Sequence, residues 1–202
     1  DPSTGNRATL GGMAGNNSAG ARSLRYGMMT DNISAIEAVL PDGRKLWLGE
    51  EGSERHYMPN ELALLRTLYT DHEKEIVKRT PQTLRNVAGY NLSSLNPDRE
   101  NLAQLLVGSE GTLAAFVRLR LKLKPLLRSR VLGICHFDGL LEALDTVEHI
   151  VSLNPTAVEL VDHNVLNLGA SLPDFRSAMS EFVKGTPQAL LLVEFAEELP
   201  GA

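Results

Sequence analysis

Residues 11–22 hold four glycines, three alanines and two adjacent asparagines, Asn16 and Asn17. Almost no side chain in that stretch is large enough to build a core. Glycine lacks a Cβ, so its backbone approaches a neighbour or ligand closely and adopts positive φ. Runs of amide N–H groups in such segments form concave sites for anions or electron-rich rings. The stretch reads as a loop against which a flat ligand lies, with Asn16 and Asn17 as turn formers or as polar contacts. Arg25-Tyr26-Gly27 and Asp31-Asn32-Ile33 follow it closely.

The 202 residues allow one large domain or two small ones, and the 43% hydrophobic content suffices for a core. The net charge of -5 argues against nucleic acid as a main partner, because phosphate binding needs clustered Lys and Arg. Arg118, Arg120, Lys122, Lys124, Arg128 and Arg130 do form a basic run. Its alternation with Val117, Leu119, Leu121 and Leu123 reads as the wet face of a half-buried strand. The single cysteine, Cys135, excludes an internal disulfide and an iron–sulfur cluster ligated by this chain alone. Leu132, Ile134 and Phe137 around it indicate a core thiol. No apolar run reaches membrane-spanning length, and no signal peptide is visible. The chain starts at Asp1 rather than Met and reads as a piece of something longer.

Residues 33–40 and 45–48 read as strands joined by Pro41-Asp42-Gly43-Arg44, a hairpin turn. Helical spacing of Leu62, Leu65, Leu68 and Tyr69 predicts a helix over 59–78, stopped by Pro81. A short helix over 98–106 with Asp98 as cap and a long strand over 113–123 come next. Beyond Pro125 the pattern becomes strand 131–137, helix 140–153, strand 156–160, helix 174–183 and strand 189–195. Asp138 and Asp174 are candidate N-caps. Such an order describes an α+β layer.

Two further motifs share the small-residue character: Arg85-Asn86-Val87-Ala88-Gly89-Tyr90-Asn91-Leu92 and Gly108-Ser109-Glu110-Gly111-Thr112-Leu113. Alone, the first is an ordinary loop with Tyr90 plugging a core, and the second a helix-to-strand turn. The histidines, His56, His72, His136, His149 and His163, form no HxxH or HExxH pair, so no metal spacing is present and none is assigned as a base. Glu159, Asp162 and His163 read as exposed polar residues.

Taken in order, the three motifs resemble the flavin-binding domain of FAD-linked oxidases of the vanillyl-alcohol-oxidase/PCMH type. The likeness is greatest to the D-2-hydroxyacid dehydrogenase branch: D-lactate and D-2-hydroxyglutarate dehydrogenases and the glycolate oxidase FAD subunit. It spans roughly residues 5–125, and residues 158–162 and 192–195 resemble the start of that family's cap domain. The segment 96–103 looks inserted, and Ala114-Ala115-Phe116 replaces the commoner Gly plus β-branched pair.

The resemblance implies an α+β fold. Residues 1–127 would be the second part of a PCMH-type FAD-binding domain, and 128–202 the start of an incomplete, ferredoxin-like cap domain. It implies FAD held by Gly11, Gly12, Ala14, Gly15, Asn16, Asn17, Ala19, Gly20, Tyr26, Gly27, Asp31, Asn32, Ile33, Glu110, Gly111 and Thr112. Ile33 would serve the adenine side. The parent would oxidise a D-2-hydroxy acid to a 2-oxo acid by hydride transfer to FAD. Electrons would pass to an acceptor or an iron–sulfur partner, in the cytoplasm or at most peripheral to the inner membrane. The resemblance places the pyrophosphate loop upstream and the catalytic histidine downstream, so this fragment alone would be inactive. The competing reading is a non-catalytic α+β interaction module whose glycine stretch is a surface turn.

Overall fold

A computed structural model describes residues 2–49, 59–83, 85–99 and 101–197. His56 lies outside the described residues. The chain forms two compact units: Asp1–Gly20 with Tyr26–Leu123, and Ala21–Arg25 with Lys124–Ala202.

The first unit is built on a three-stranded antiparallel sheet in the order β2-β1-β3, with β1 Ile33–Val39, β2 Lys45–Gly49 and β3 Ala115–Leu121. The central strand is almost wholly buried from Ile33 to Ile36, as expected of a strand paired on both edges. The hairpin turn is the one its residues dictate. Leu40 N donates to Arg44 O at 2.8 Å, Asp42 Oδ1 accepts from Arg44 N at 3.0 Å, and Gly43 takes φ +84°. The arginines of β3 do face outward. Arg118 pairs with Glu37 across the ladder at 3.2 Å, and Arg120 stacks over Trp47, 5.2 Å from the ring centre.

Against the sheet pack Leu62, Leu102, Ala103, Leu106 and Val107 in one cluster with Ile33, Ile36, Leu46 and Leu48. The long helix α4, Pro59–Arg79, carries Tyr69 into a smaller cluster with Leu95 and Leu105. Among the described residues of 98–106 no α-helix forms; a 3₁₀ turn, Leu102–Leu105, stands there, and its cap is Asn101, whose Oδ1 accepts from Ala103 N at 3.1 Å. Asp98 belongs to the preceding turn, where its N–H donates to Asn96 Oδ1 at 2.9 Å.

Residues 11–16, read above as loop, belong instead to a helix, α1 Leu10–Asn16. Its start is capped by Thr9 Oγ1, which accepts from Gly12 N at 3.0 Å. Asn17 ends it at φ +51° in the left-handed region. Ser18 N donates to Met13 O at 2.9 Å and Asn17 N to Ala14 O at 3.2 Å, the two reversed bonds of a Schellman end. Two one-turn helices follow, α2 Ser23–Tyr26 and α3 Met29–Asn32.

The second unit holds β4 Ser129–Phe137, α5 Leu140–Ser152, β5 Ala157–Asp162, α6 His163–Ser171, α7 Pro173–Phe182 and β6 Ala189–Glu197. The sheet order is β4-β6-β5, with β6 antiparallel to both neighbours. This is a split β-α-β arrangement. Ala143 and Ile150 of α5 pack on Ala189, Leu191 and Val193, with Cys135 and Phe137 beside them. Cys135 is half-buried there.

Two cap assignments are corrected. Gly139, not Asp138, precedes α5, and Leu172 precedes α7, where Pro173 takes the first turn and Asp174 follows it. The helix α6 was not anticipated. Asp162 caps it by accepting from Val165 N at 2.9 Å, which fixes the role of one of the three polar residues noted above. Among the described residues no helix is long and apolar enough to cross a membrane. Among the same residues no group of three or more His, Cys, Asp or Glu side chains is placed to hold a metal ion.

Two stability measurements follow from this packing. Ile36→Ala, at a site with no exposure, should lower the unfolding free energy of the first unit by about 2–5 kcal/mol in a denaturant titration. Asn17→Gly should cost about 1 kcal/mol by losing the bond from Thr30 N to Asn17 Oδ1. Asn17→Ala should cost about 1 kcal/mol more, because alanine resists positive φ. Equal losses in the two Asn17 variants would contradict the left-handed assignment.

Candidate functional site

The last carbonyls of any helix lack partners within it. In α1 those of Ala14 and Gly15 are met from far along the chain. Gly108 N donates to Ala14 O at 3.0 Å and Glu110 N to Gly15 O at 2.9 Å. The Gly-Ser-Glu-Gly-Thr turn is thereby fastened to the C-terminal end of the glycine-rich helix. Side chains reinforce the contact, since Asn16 Nδ2 donates to Glu110 Oε1 at 2.8 Å.

The two backbones lie at ordinary contact distance here. A Cβ on Gly15 would stand 4.0 Å from Glu110 Cα, and a Cβ on Gly108 would stand 3.4 Å from Asn17 Cβ. Gly108, Glu110 and Gly111 all have positive φ, at +82°, +52° and +74°. For Glu110 that conformation carries strain, which the bonds to α1 offset.

The Gly-Tyr motif joins the same cluster. Tyr90 is not a core plug: it is 47% exposed, and its hydroxyl lies 2.9 Å from Thr112 Oγ1. Asn91 Nδ2 donates to Gln104 O at 3.2 Å. Arg85 Nη2 donates to Gly20 O. All three small-residue motifs therefore meet within the first unit.

The Tyr26–Ile33 stretch is tied in as well. Asn17 Oδ1 accepts from Thr30 N at 3.0 Å, and Met29 N donates to Ser18 O at 3.2 Å. Inside it, Asp31 Oδ2 accepts from Met28 N at 2.8 Å, and Asn32 Nδ2 donates to Tyr26 O and Met28 O. Gly27 has φ +75°, and a Cβ there would stand 2.6 Å from Asp31 Oδ2. Asp31, Asn32 and Gly27 thus have a full structural role in folding this turn.

A cleft of about 640 Å³ opens beside the cluster, lined by Asn17, Asp31, Tyr90, Asn91, Arg99 and Gly108 among others. Of the sixteen residues that the motifs singled out, Asn17 and Asp31 border this cleft. Gly12, Asn16, Asp31, Glu110, Gly111 and Thr112 are exposed, Gly11, Ala19, Gly20, Tyr26, Gly27 and Asn32 half-buried, and Ala14, Gly15, Asn17 and Ile33 buried. Two details differ from a loop of free amides. Helix α1 takes up amides of the glycine stretch internally: Gly12 N bonds Thr9 Oγ1 and Met13 N bonds Thr9 O. Ile33 has both main-chain groups engaged, its N–H with Met29 O and its carbonyl with Asn101 Nδ2 at 2.7 Å.

Space remains for a flat ligand at the small residues. A Cβ on Gly11, Gly89 or Gly111 would meet nothing within 4 Å. One polar atom of the turn, Ser109 Oγ, is buried without a hydrogen-bond partner. Open space at glycines, an unsatisfied hydroxyl and neutral polar groups at Asn16, Tyr90 and Thr112 fit an uncharged, hydrogen-bonding ring system. The sequence had marked Arg85, Tyr90 and Asn91 as a motif, but it gave no sign of their partners Gly20, Thr112 and Gln104.

Residues 1–49 match the FAD binding domain, and residues 126–200 match the FAD linked oxidases, C-terminal domain. D-2-hydroxyglutarate dehydrogenase of Haemophilus influenzae is 33% identical over 96% of this chain, and that of Escherichia coli 32%. D-lactate dehydrogenase of Archaeoglobus fulgidus is 27% identical over 95% of the chain. The chain spans about a fifth of the length of the two D-2-hydroxyglutarate dehydrogenases and a third of the D-lactate dehydrogenase. In fold it is similar to alkyldihydroxyacetonephosphate synthase, with a TM-score of 0.58 at 20% identity, over 98% of this chain and 30% of that one. In sequence the chain is thus similar, in two separate stretches, to the FAD binding domain and to the C-terminal domain of FAD linked oxidases, and over nearly its whole length to D-2-hydroxyglutarate and D-lactate dehydrogenases.

Proposed function

We propose that this chain is a working segment of a flavoenzyme that oxidises a D-2-hydroxy acid to a 2-oxo acid. Residues 1–127 form the second part of its FAD-binding domain, and 128–202 the start of the substrate-side cap. The observation that carries the reading is the fastening of the 108–112 turn onto the end of α1, which brings Ala14, Gly15 and Asn16 against Gly108 and Glu110. The match to the FAD binding domain supports FAD as the ligand of that surface.

In this reading Gly11, Gly12 and Gly111 let the ring approach the backbone, while Ala14 and Gly15 hold α1 against the turn. Asn16, Asn17 and Thr112 supply neutral polar contacts, with Ala19, Gly20, Tyr26 and Gly27 continuing the wall. Asp31, Asn32 and Ile33 shape its far end. When bound, FAD supplies the acceptor for the hydride that leaves the substrate's C2. The hydroxyl proton must go to a base. No described side chain of the cluster is assigned that role, and the family likeness places a histidine elsewhere in the parent. Hydrogen-bond donors fixed beside the ring favour negative charge on it without reorganising. In the parent, a separate acceptor or an iron–sulfur partner would take up the electrons. Cys135 cannot ligate such a cluster alone. We place the parent in the cytoplasm, at most peripheral to a membrane.

The test uses the full-length parent. It should purify with, or reconstitute with, a flavin chromophore. A colourless protein that takes up no FAD would favour the interaction-module reading. Gly11→Ala separates the roles of this surface. Alanine should stabilise α1 in the flavin-free protein by about 0.5–1 kcal/mol, since its Cβ meets nothing. The same methyl should weaken FAD binding about tenfold in a fluorescence titration. Unchanged affinity would remove the ring from α1.

A further inference from the structure

The five residues Ala21–Arg25 fold with the second unit, although the chain on both sides of them belongs to the first. Arg22 meets Glu194 at two points, Nε to Oε1 at 2.8 Å and Nη2 to Oε2 at 2.9 Å. The two side chains are 29% and 18% exposed, so the pair is partly shielded from water. Glu194 stands on the central strand β6, opposite Leu132 of β4 and Ala157 of β5.

Arg25 makes the second attachment. Its Nη1 donates to Ala196 O at 2.7 Å and to Thr156 Oγ1 at 3.2 Å. Both partners are buried, and so is Ser23 between the arginines. Thr156 N in turn donates to Glu194 O at 2.6 Å, which links the two attachment points through the sheet. The forked guanidinium suits a two-point carboxylate contact that lysine cannot reproduce. Arg22 holds the Glu194 carboxyl below the usual carboxylate range, and Arg130 adds to the effect.

We propose that the Arg-x-x-Arg segment is a strap that completes the second unit. The unit is assembled from two stretches far apart in sequence, and the strap and β6 open as one cooperative piece. This inference rests on the contacts above and is independent of the cofactor reading.

Amide hydrogen exchange on the 202-residue chain tests it. Arg22→Ala should lower protection of the strap and of β6 together, by about tenfold. Arg22→Lys, the variant least disturbing to folding, should lower both by a smaller factor. Pairing Arg22→Glu with Glu194→Arg should restore most of the protection. The proposal is overturned if strap amides exchange freely in the parent chain. It is equally overturned if Arg22→Ala frees the strap while β6 keeps its protection, or if neither changes.

Discussion

Two backbone hydrogen bonds, Gly108 N to Ala14 O and Glu110 N to Gly15 O, carry the architecture of the candidate site. They solve a problem that α1 creates. A seven-residue helix has few internal bonds and several unpaired terminal carbonyls. Its glycines lower its intrinsic stability further. The helix persists because Thr9 closes its start, a Schellman end with Asn17 closes its finish, and the distant turn adds a second donor to Ala14 O and a donor to Gly15 O.

The same logic explains why strain collects at residues 108–111. Three of these four residues take positive φ, and one of them is Glu110. A turn of this shape aims successive amides at a helix end. The cost of about 1 kcal/mol or more for a non-glycine residue in that region is offset by the Glu110 N–H bond and by the Asn16 to Glu110 side-chain bond. The chemistry proposed for the surface is thus a by-product of packing: a site poor in side chains is one that a flat ring can lie against.

Much of the fold was legible from local chemistry. Pro41-Asp42-Gly43 specified its hairpin, and Leu62, Leu65 and Tyr69 specified α4, because turn geometry and helical period are written in adjacent residues. Residues 11–16 were not legible as helix, because glycine argues locally for a loop, and the stabilising partners lie far along the chain. Asp98 looked like a cap, but the helical turn begins later, at Leu102, where Asn101 is the residue placed to cap it. Capping residues compete, and the nearest acidic residue does not always win. For the site, the three motifs were visible one by one. Their convergence was suggested by family likeness rather than by physics, since main-chain bonds such as those to Ala14 and Gly15 leave no mark on residue type. Side-chain ties such as Tyr90 to Thr112 are equally silent in a sequence read alone.

The central claim, that a distant turn closes the end of the glycine-rich helix, is tested most directly by amide exchange measured residue by residue with NMR. Gly108 and Glu110 should be protected to a degree comparable with the sheet core around Ile36. Exchange of Gly108 and Glu110 at the rate of an unstructured peptide, with Ile36 fully protected, would contradict the account.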